Sequence, residues 1–151
     1  MRPLVEVKID CGFSVPLTVF TGHWKSKSGD DGQSDFWRES QESVLVSRIG
    51  LLSDTCFVFC GDCNKDIREF ACDGEYVVLN AKFSNNLKSK LLRLVNPWLV
   101  NPYTSMNGSY YYKNTWEKID HFFIGSALSI HSFNVENKGL HVNDKQIPLR
   151  Y

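Results

Sequence analysis

Six uncharged residues, Thr55-Cys56-Phe57-Val58-Phe59-Cys60, run directly into Gly61-Asp62-Cys63-Asn64. A short apolar run of this length bounded by turn residues reads as a buried strand. A buried strand needs cover on its faces, so the segments around it decide the fold. Upstream, Leu4 to Asp10 alternates as a strand, Asp10-Cys11-Gly12 turns, and Val15 to Thr21 forms a second strand, giving a hairpin. A polar, glycine-rich loop spans Gly22 to Gly32. A helix is expected from Ser34 to Leu52, capped by Ser34 or Asp35, with Phe36, Val44, Leu45, Ile49 and Leu52 along its apolar stripe. Strand, helix and strand in this order imply an α/β (α+β) layered fold: one mixed sheet with a flanking helix.

The second half is less regular. Tyr76 to Leu79, Ser109 to Lys113, Lys118 to Ile124 and Ser132 to Val135 read as strands, and Leu87 to Val95 has the composition of a helix ending before Pro97. Asn96 to Gly108 carries two Asn-Pro steps and reads as loop. The 151 residues suit one domain. Seventeen basic and seventeen acidic residues cancel, so no whole-molecule field draws in a polyanion. No basic stripe interleaved with aromatics argues for nucleic acid. No apolar run reaches the roughly 18 residues of a membrane helix.

Five cysteines without an apolar signal core at Met1 to Val7 point to a reducing compartment, the cytoplasm, although a longer parent chain would be free to be secreted. Cys60 and Cys63 have a C-x-x-C spacing, but no second pair completes a tetrahedron. Small apolar residues in a strand are the preferred reading of these cysteines over a zinc module.

Four residues carry chemistry. If the strand persists past Cys60, Asp62 and Asn64 point the same way at its carboxyl end, because strand side chains alternate. A carboxylate beside a carboxamide suits a hard cation, a phosphate and a polarised water. His23 follows the second strand, and Asp120 is an acid within an apolar stretch, costly to bury without a partner. Blander readings stand beside these: His23 as a loop residue, Asp62 to Asn64 as a turn held by side-chain bonds to backbone, and Asp120 as an edge-strand surface residue. Lys25 and Lys27 read as solvated charges, Tyr110 to Tyr112 as sheet residues, and His131 and His141 fall in no motif. His121 faces away from Asp120 on a strand and is read as structural.

Taken together, Thr21-Gly22-His23-Trp24-Lys25-Ser26-Lys27, a helix with Arg38 to Gln41, Gly61-Asp62-Cys63-Asn64 and Ile119-Asp120-His121 resemble, in order and spacing, the endonuclease/exonuclease/phosphatase superfamily, the deoxyribonuclease I-like fold. The resemblance implies a hydrolase that cleaves phosphodiester bonds by in-line attack of water, with a nuclease as its leading form. It implies a partial four-layer sandwich, one sheet of which is encoded here. It implies that Asp62 and Asn64 sit at a magnesium or manganese ion, Asp62 orienting the attacking water and Asn64 binding phosphate. His23 would donate to a phosphate oxygen, and Asp120 would orient a catalytic histidine. The family's N-terminal asparagine and glutamate and its final S-D-H segment have no counterpart in this chain. The expectation is therefore a portion truncated at both ends, with low activity alone, an exposed apolar sheet face, and a complementary N-terminal fragment as partner. The alternative is a non-catalytic piece, or a subunit of a split enzyme. The substrate class, whether DNA, RNA, inositol phosphate or lipid, does not follow from the fold.

Overall fold

The computed structural model describes residues 2–29, 31–82, 91–136 and 142–143. Seven strands form a mixed sheet in the order β1-β2-β3-β9-β6-β5-β4: β1 Val5–Ile9, β2 Leu17–His23, β3 Phe57–Asp62, β9 Asp120–Ile124, β6 Leu91–Val95, β5 Tyr76–Asn80 and β4 Ala71–Asp73. β7 Tyr110–Tyr112 and β8 Thr115–Glu117 make a separate two-stranded ribbon. The single long helix among the described residues, α1 Asp31–Ile49, links β2 to β3. These two strands are parallel, and a parallel pair needs such a crossover. The coarse α/β class with one mixed sheet and a flanking helix describes this arrangement.

The pleat sorts the sheet into two faces. Phe20, Phe59 and Phe123 are register partners across β2, β3 and β9 and point to the helix side, where all three are fully buried. Phe59 stacks on Phe123 with ring centroids 5.3 Å apart, and Trp24, Phe70 and His121 close around them. Leu45, Val46 and Ile49 of α1, with Val77 and Leu79 of β5, complete this core. The opposite face carries Val5, Val7, Ile9, Val19, Val58, Cys60, Phe122 and Ile124. Its outer part stays open, with Phe122, Ile9, Val5 and Val7 between 39 % and 49 % exposed, while Val19, Val58, Cys60 and Ile124 are partly buried.

Several expectations are corrected. Leu91–Val95 is a strand between β5 and β9, not the end of a helix: pairing along its whole length with β5 overrides its helical composition, while 87–90 lies outside the described residues. Ser132 to Val135 forms no strand; Phe133 instead packs edge-on against Trp98 and Tyr103. The helix starts at Asp31 rather than Ser34, and its stripe is displaced: Phe36 and Val44 are exposed, while Ser34, Arg38, Gln41 and Glu42 face inward. The first half of α1 covers loop backbone, which demands polar partners, and only its second half covers apolar core. β4 and β8 were not expected.

Candidate functional site at the ends of three strands

β2 ends at His23, β3 ends at Asp62, and β9 begins at Asp120. His23 is in register with Asp62 and Asp62 with Asp120, so the three side chains form one row across three adjacent strands, on the open face of the sheet. His23 Nε2 is 3.4 Å from Asp62 Oδ2, an electrostatic contact longer than a good hydrogen bond. A glycine pair brings the two strand ends together. A Cβ on Gly61 would run into the carbonyl oxygen of its register partner Gly22, so this close backbone approach requires glycine.

Asn64 arrives by a different route from the one expected. The strand stops at Asp62, and Asn64 takes φ of 46°, the left-handed region that asparagine tolerates better than most residues. Asp62 Oδ1 accepts the Asn64 N–H at 2.7 Å and closes the turn. Asn64 Nδ2 donates to the Trp24 carbonyl at 3.1 Å, which leaves a second amide hydrogen and Oδ1 for a ligand. The turn reading and the site reading of Asp62-Cys63-Asn64 thus coexist in one geometry. Asp62 and Asn64 both line a cleft of about 530 Å³ with Ser26, Lys27, Tyr110, Tyr112 and Glu117.

Burial raises the Asp62 carboxyl above its ordinary range; the Asn64 amide opposes the rise, the Asp120 charge adds to it, and His23 and Arg2 lower it. Burial and the neighbouring Asp120 charge both disfavour a bare Asp62 carboxylate, which a proton or a cation beside it would relieve. Among the described residues no group of three or more His, Cys, Asp or Glu side chains is placed to hold a metal. Magnesium fits the residues present nonetheless, because it retains several waters and takes one or two protein carboxylates together with substrate phosphate. A zinc site built from Cys60 and Cys63 lacks its remaining ligands: among the described residues no further His, Cys, Asp or Glu is grouped with them to complete a tetrahedron.

The support around the row comes from residues that the sequence named without assigning a role. Gln41 Oε1 accepts the Lys25 N–H at 2.8 Å, and its Nε2 donates to the carbonyls of Arg2 at 3.3 Å and His23 at 3.5 Å. Arg38 Nη1 donates to the Lys25 carbonyl at 3.1 Å and pairs with Asp35. α1 therefore grips the chain on both sides of Trp24 and fixes where His23 leaves the sheet. The signal that could have revealed this is polar residues recurring at 34, 38, 41 and 42, the spacing of one helical face.

On the far side of the row, Asp66 is a buried hub. Its carboxylate accepts Arg68 N–H at 3.0 Å, Arg68 Nε at 2.6 Å and Lys118 N–H at 2.9 Å, tying the loop after Asn64 to the approach to β9. These bonds outweigh burial and hold its carboxyl below the usual range.

His121 faces the core, opposite to Asp120. Its Nε2–H donates to the Lys65 carbonyl at 2.8 Å, so Nδ1 accepts from Asn96 Nδ2 at 3.1 Å. Burial lowers its pKa to about 4, so the ring is neutral at pH 7. Searches of protein-family models, curated proteins and solved structures return no match to this chain. No helix among the described residues is long and apolar enough to cross a membrane.

Proposed function

We propose that the chain is a metal-dependent phosphoesterase of the endonuclease/exonuclease/phosphatase type, with phosphodiester bonds as its substrate and a nuclease as its leading form. The observation that carries this reading is the row His23, Asp62 and Asp120 in register at one end of three adjacent strands, with Asp62, its central member, sharing a cleft with Asn64. Asp62, with Asp120 beside it, would hold magnesium or manganese, which supplies charge for the phosphoryl oxygens. Asp62 orients the water that attacks phosphorus, and the bond to the leaving oxygen breaks in line. Asn64 donates its free amide hydrogen to phosphate. His23, half-exposed beside Asp62, donates to a non-bridging oxygen and offsets the charge that grows there. Asp120 acts through Asp62, its register partner, since His121 is sealed on the other face.

Hydrolysis of a generic aryl phosphodiester in magnesium tests the reading. Asp62→Ala should lower the rate by about 10²- to 10⁴-fold, the usual contribution of a positioned proton-handling group. A rate that survives the substitution sinks the proposal.

The open apolar face favours a second reading, in which the chain is a non-catalytic piece or a subunit of a split enzyme and this face takes a partner. A monomer that unfolds in one cooperative step, with no tendency to associate, speaks against it.

A further inference from the structure

We propose that Tyr110 and Tyr112 form a stacking platform for unpaired bases, which makes single-stranded nucleic acid the substrate class of the cleft. The inference rests on the phosphoester reading of Asp62 and Asn64 and specifies what that site receives.

The platform follows from the ribbon. Lys113 and Asn114 have φ of 47° and 63°, so a two-residue turn with both φ angles positive joins β7 to β8 and matches the strand twist. Alternation then divides the aromatics. Tyr111 and Trp116 pair on one face, with centroids 5.1 Å apart. Tyr110 and Tyr112 share the other face, with planes within 20° of parallel and centroids 6.1 Å apart. Both line the cleft that holds Asp62 and Asn64, and they are 44 % and 49 % exposed. Two large rings held nearly parallel and half-open beside a polar cleft present flat apolar surface on which a further ring can stack.

The charges decide among phosphate-bearing ligands. The lysine in the cleft, Lys27, is paired with Glu69 at 2.7 Å, and Asp62 and Glu117 add negative charge. Lys113 sits over the Tyr112 ring, 5.3 Å from its centroid. Such a cleft holds a polyanion poorly by charge alone, so affinity must come from ring faces. A duplex hides its base faces within its stack, and inositol or glycerol phosphates have no aromatic face. An unpaired strand offers a π-face at every nucleotide.

Anisotropy with a labelled oligothymidylate, and with an abasic strand of the same length and charge, tests this directly. The measurement uses the full chain carrying Asp62→Asn, in magnesium, so that turnover does not consume the probe. The base-bearing strand should bind about tenfold or more tightly than the abasic strand, with a shallow salt dependence. Tyr110→Ala and Tyr112→Ala should each weaken it by about 5- to 150-fold, the range of one lost base–aromatic stack. Tyr110→Phe and Tyr112→Phe should bind nearly as the parent does. Equal affinity for the abasic strand, no binding of either strand, or unchanged affinity in alanine variants whose circular dichroism is intact overturns the proposal. Base-dependent binding by a chain that hydrolyses no phosphodiester removes the phosphoesterase reading and leaves the platform standing. Hydrolysis without base preference does the reverse.

Discussion

The two faces of the sheet are built from the same strands and have opposite fates. On the helix side Phe20, Phe59 and Phe123 are covered by aromatics and by α1; on the other side Val7, Val58 and Phe122 stay partly in water. The covered face supplies stability, whereas the open face ends in the row of His23, Asp62 and Asp120. The contrast is sharpest at two neighbours on β9. Asp120 looks out on the open face, and His121 is locked in the core with both ring nitrogens engaged. One residue of register separates a group placed for chemistry from one placed for packing.

That comparison breaks if the faces contribute equally to stability. Phe59→Ala should cost about 3–5 kcal/mol, the range for deleting a buried phenyl group. Val7→Thr on the open face should stay within about 0.5 kcal/mol, as surface substitutions do. Urea midpoints compared with unchanged slopes measure both, and a large loss at Val7 would mean that the face is covered in solution.

A somewhat smaller effect comes from His121. The unfolded ring takes up its proton near pH 6.5, the folded one only near pH 4. Between those values the unfolded chain binds more protons, so stability falls as pH drops through this window. The loss is roughly 3 kcal/mol from pH 6.5 to pH 4, and the contribution is fully present above pH 6.5. His121→Gln should flatten that dependence, and an unchanged slope would place the ring in water rather than in the core.

A smaller loss than at His121 is expected at Gln41. Gln41→Ala removes the acceptor for the Lys25 N–H and should cost about 1–2 kcal/mol. It should also loosen the exit of His23 and lower hydrolysis more than that loss of stability explains. Hydrolysis unchanged below the melting range would reduce Gln41 to packing alone.

The parts that the residues announced are those governed by local period. The apolar run Thr55 to Cys60 and the alternation of Leu4 to Asp10 mark strands whose observed ends fall within two residues. The opposed faces of Asp120 and His121 follow from the same rule. What stayed hidden depends on distant pairing. Leu91–Val95 is a strand because β5 is beside it, and nothing within those five residues says so. The polar inner face of α1 answers to loop carbonyls far away in the chain, and the tyrosine ribbon reaches the cleft only through the tertiary fold. Asn64 reaches the cleft through a left-handed turn, where alternation predicted an extended strand.

The central claim is that His23, Asp62 and Asp120 act as one unit on a phosphodiester. A double-mutant cycle on magnesium-dependent hydrolysis tests it most directly, using Asp62→Asn, Asp120→Asn and the pair. Groups that act together are strongly non-additive. The double variant should therefore be about as slow as the slower single variant. Losses that multiply independently, or a parent chain with no hydrolysis to lose, would contradict the account.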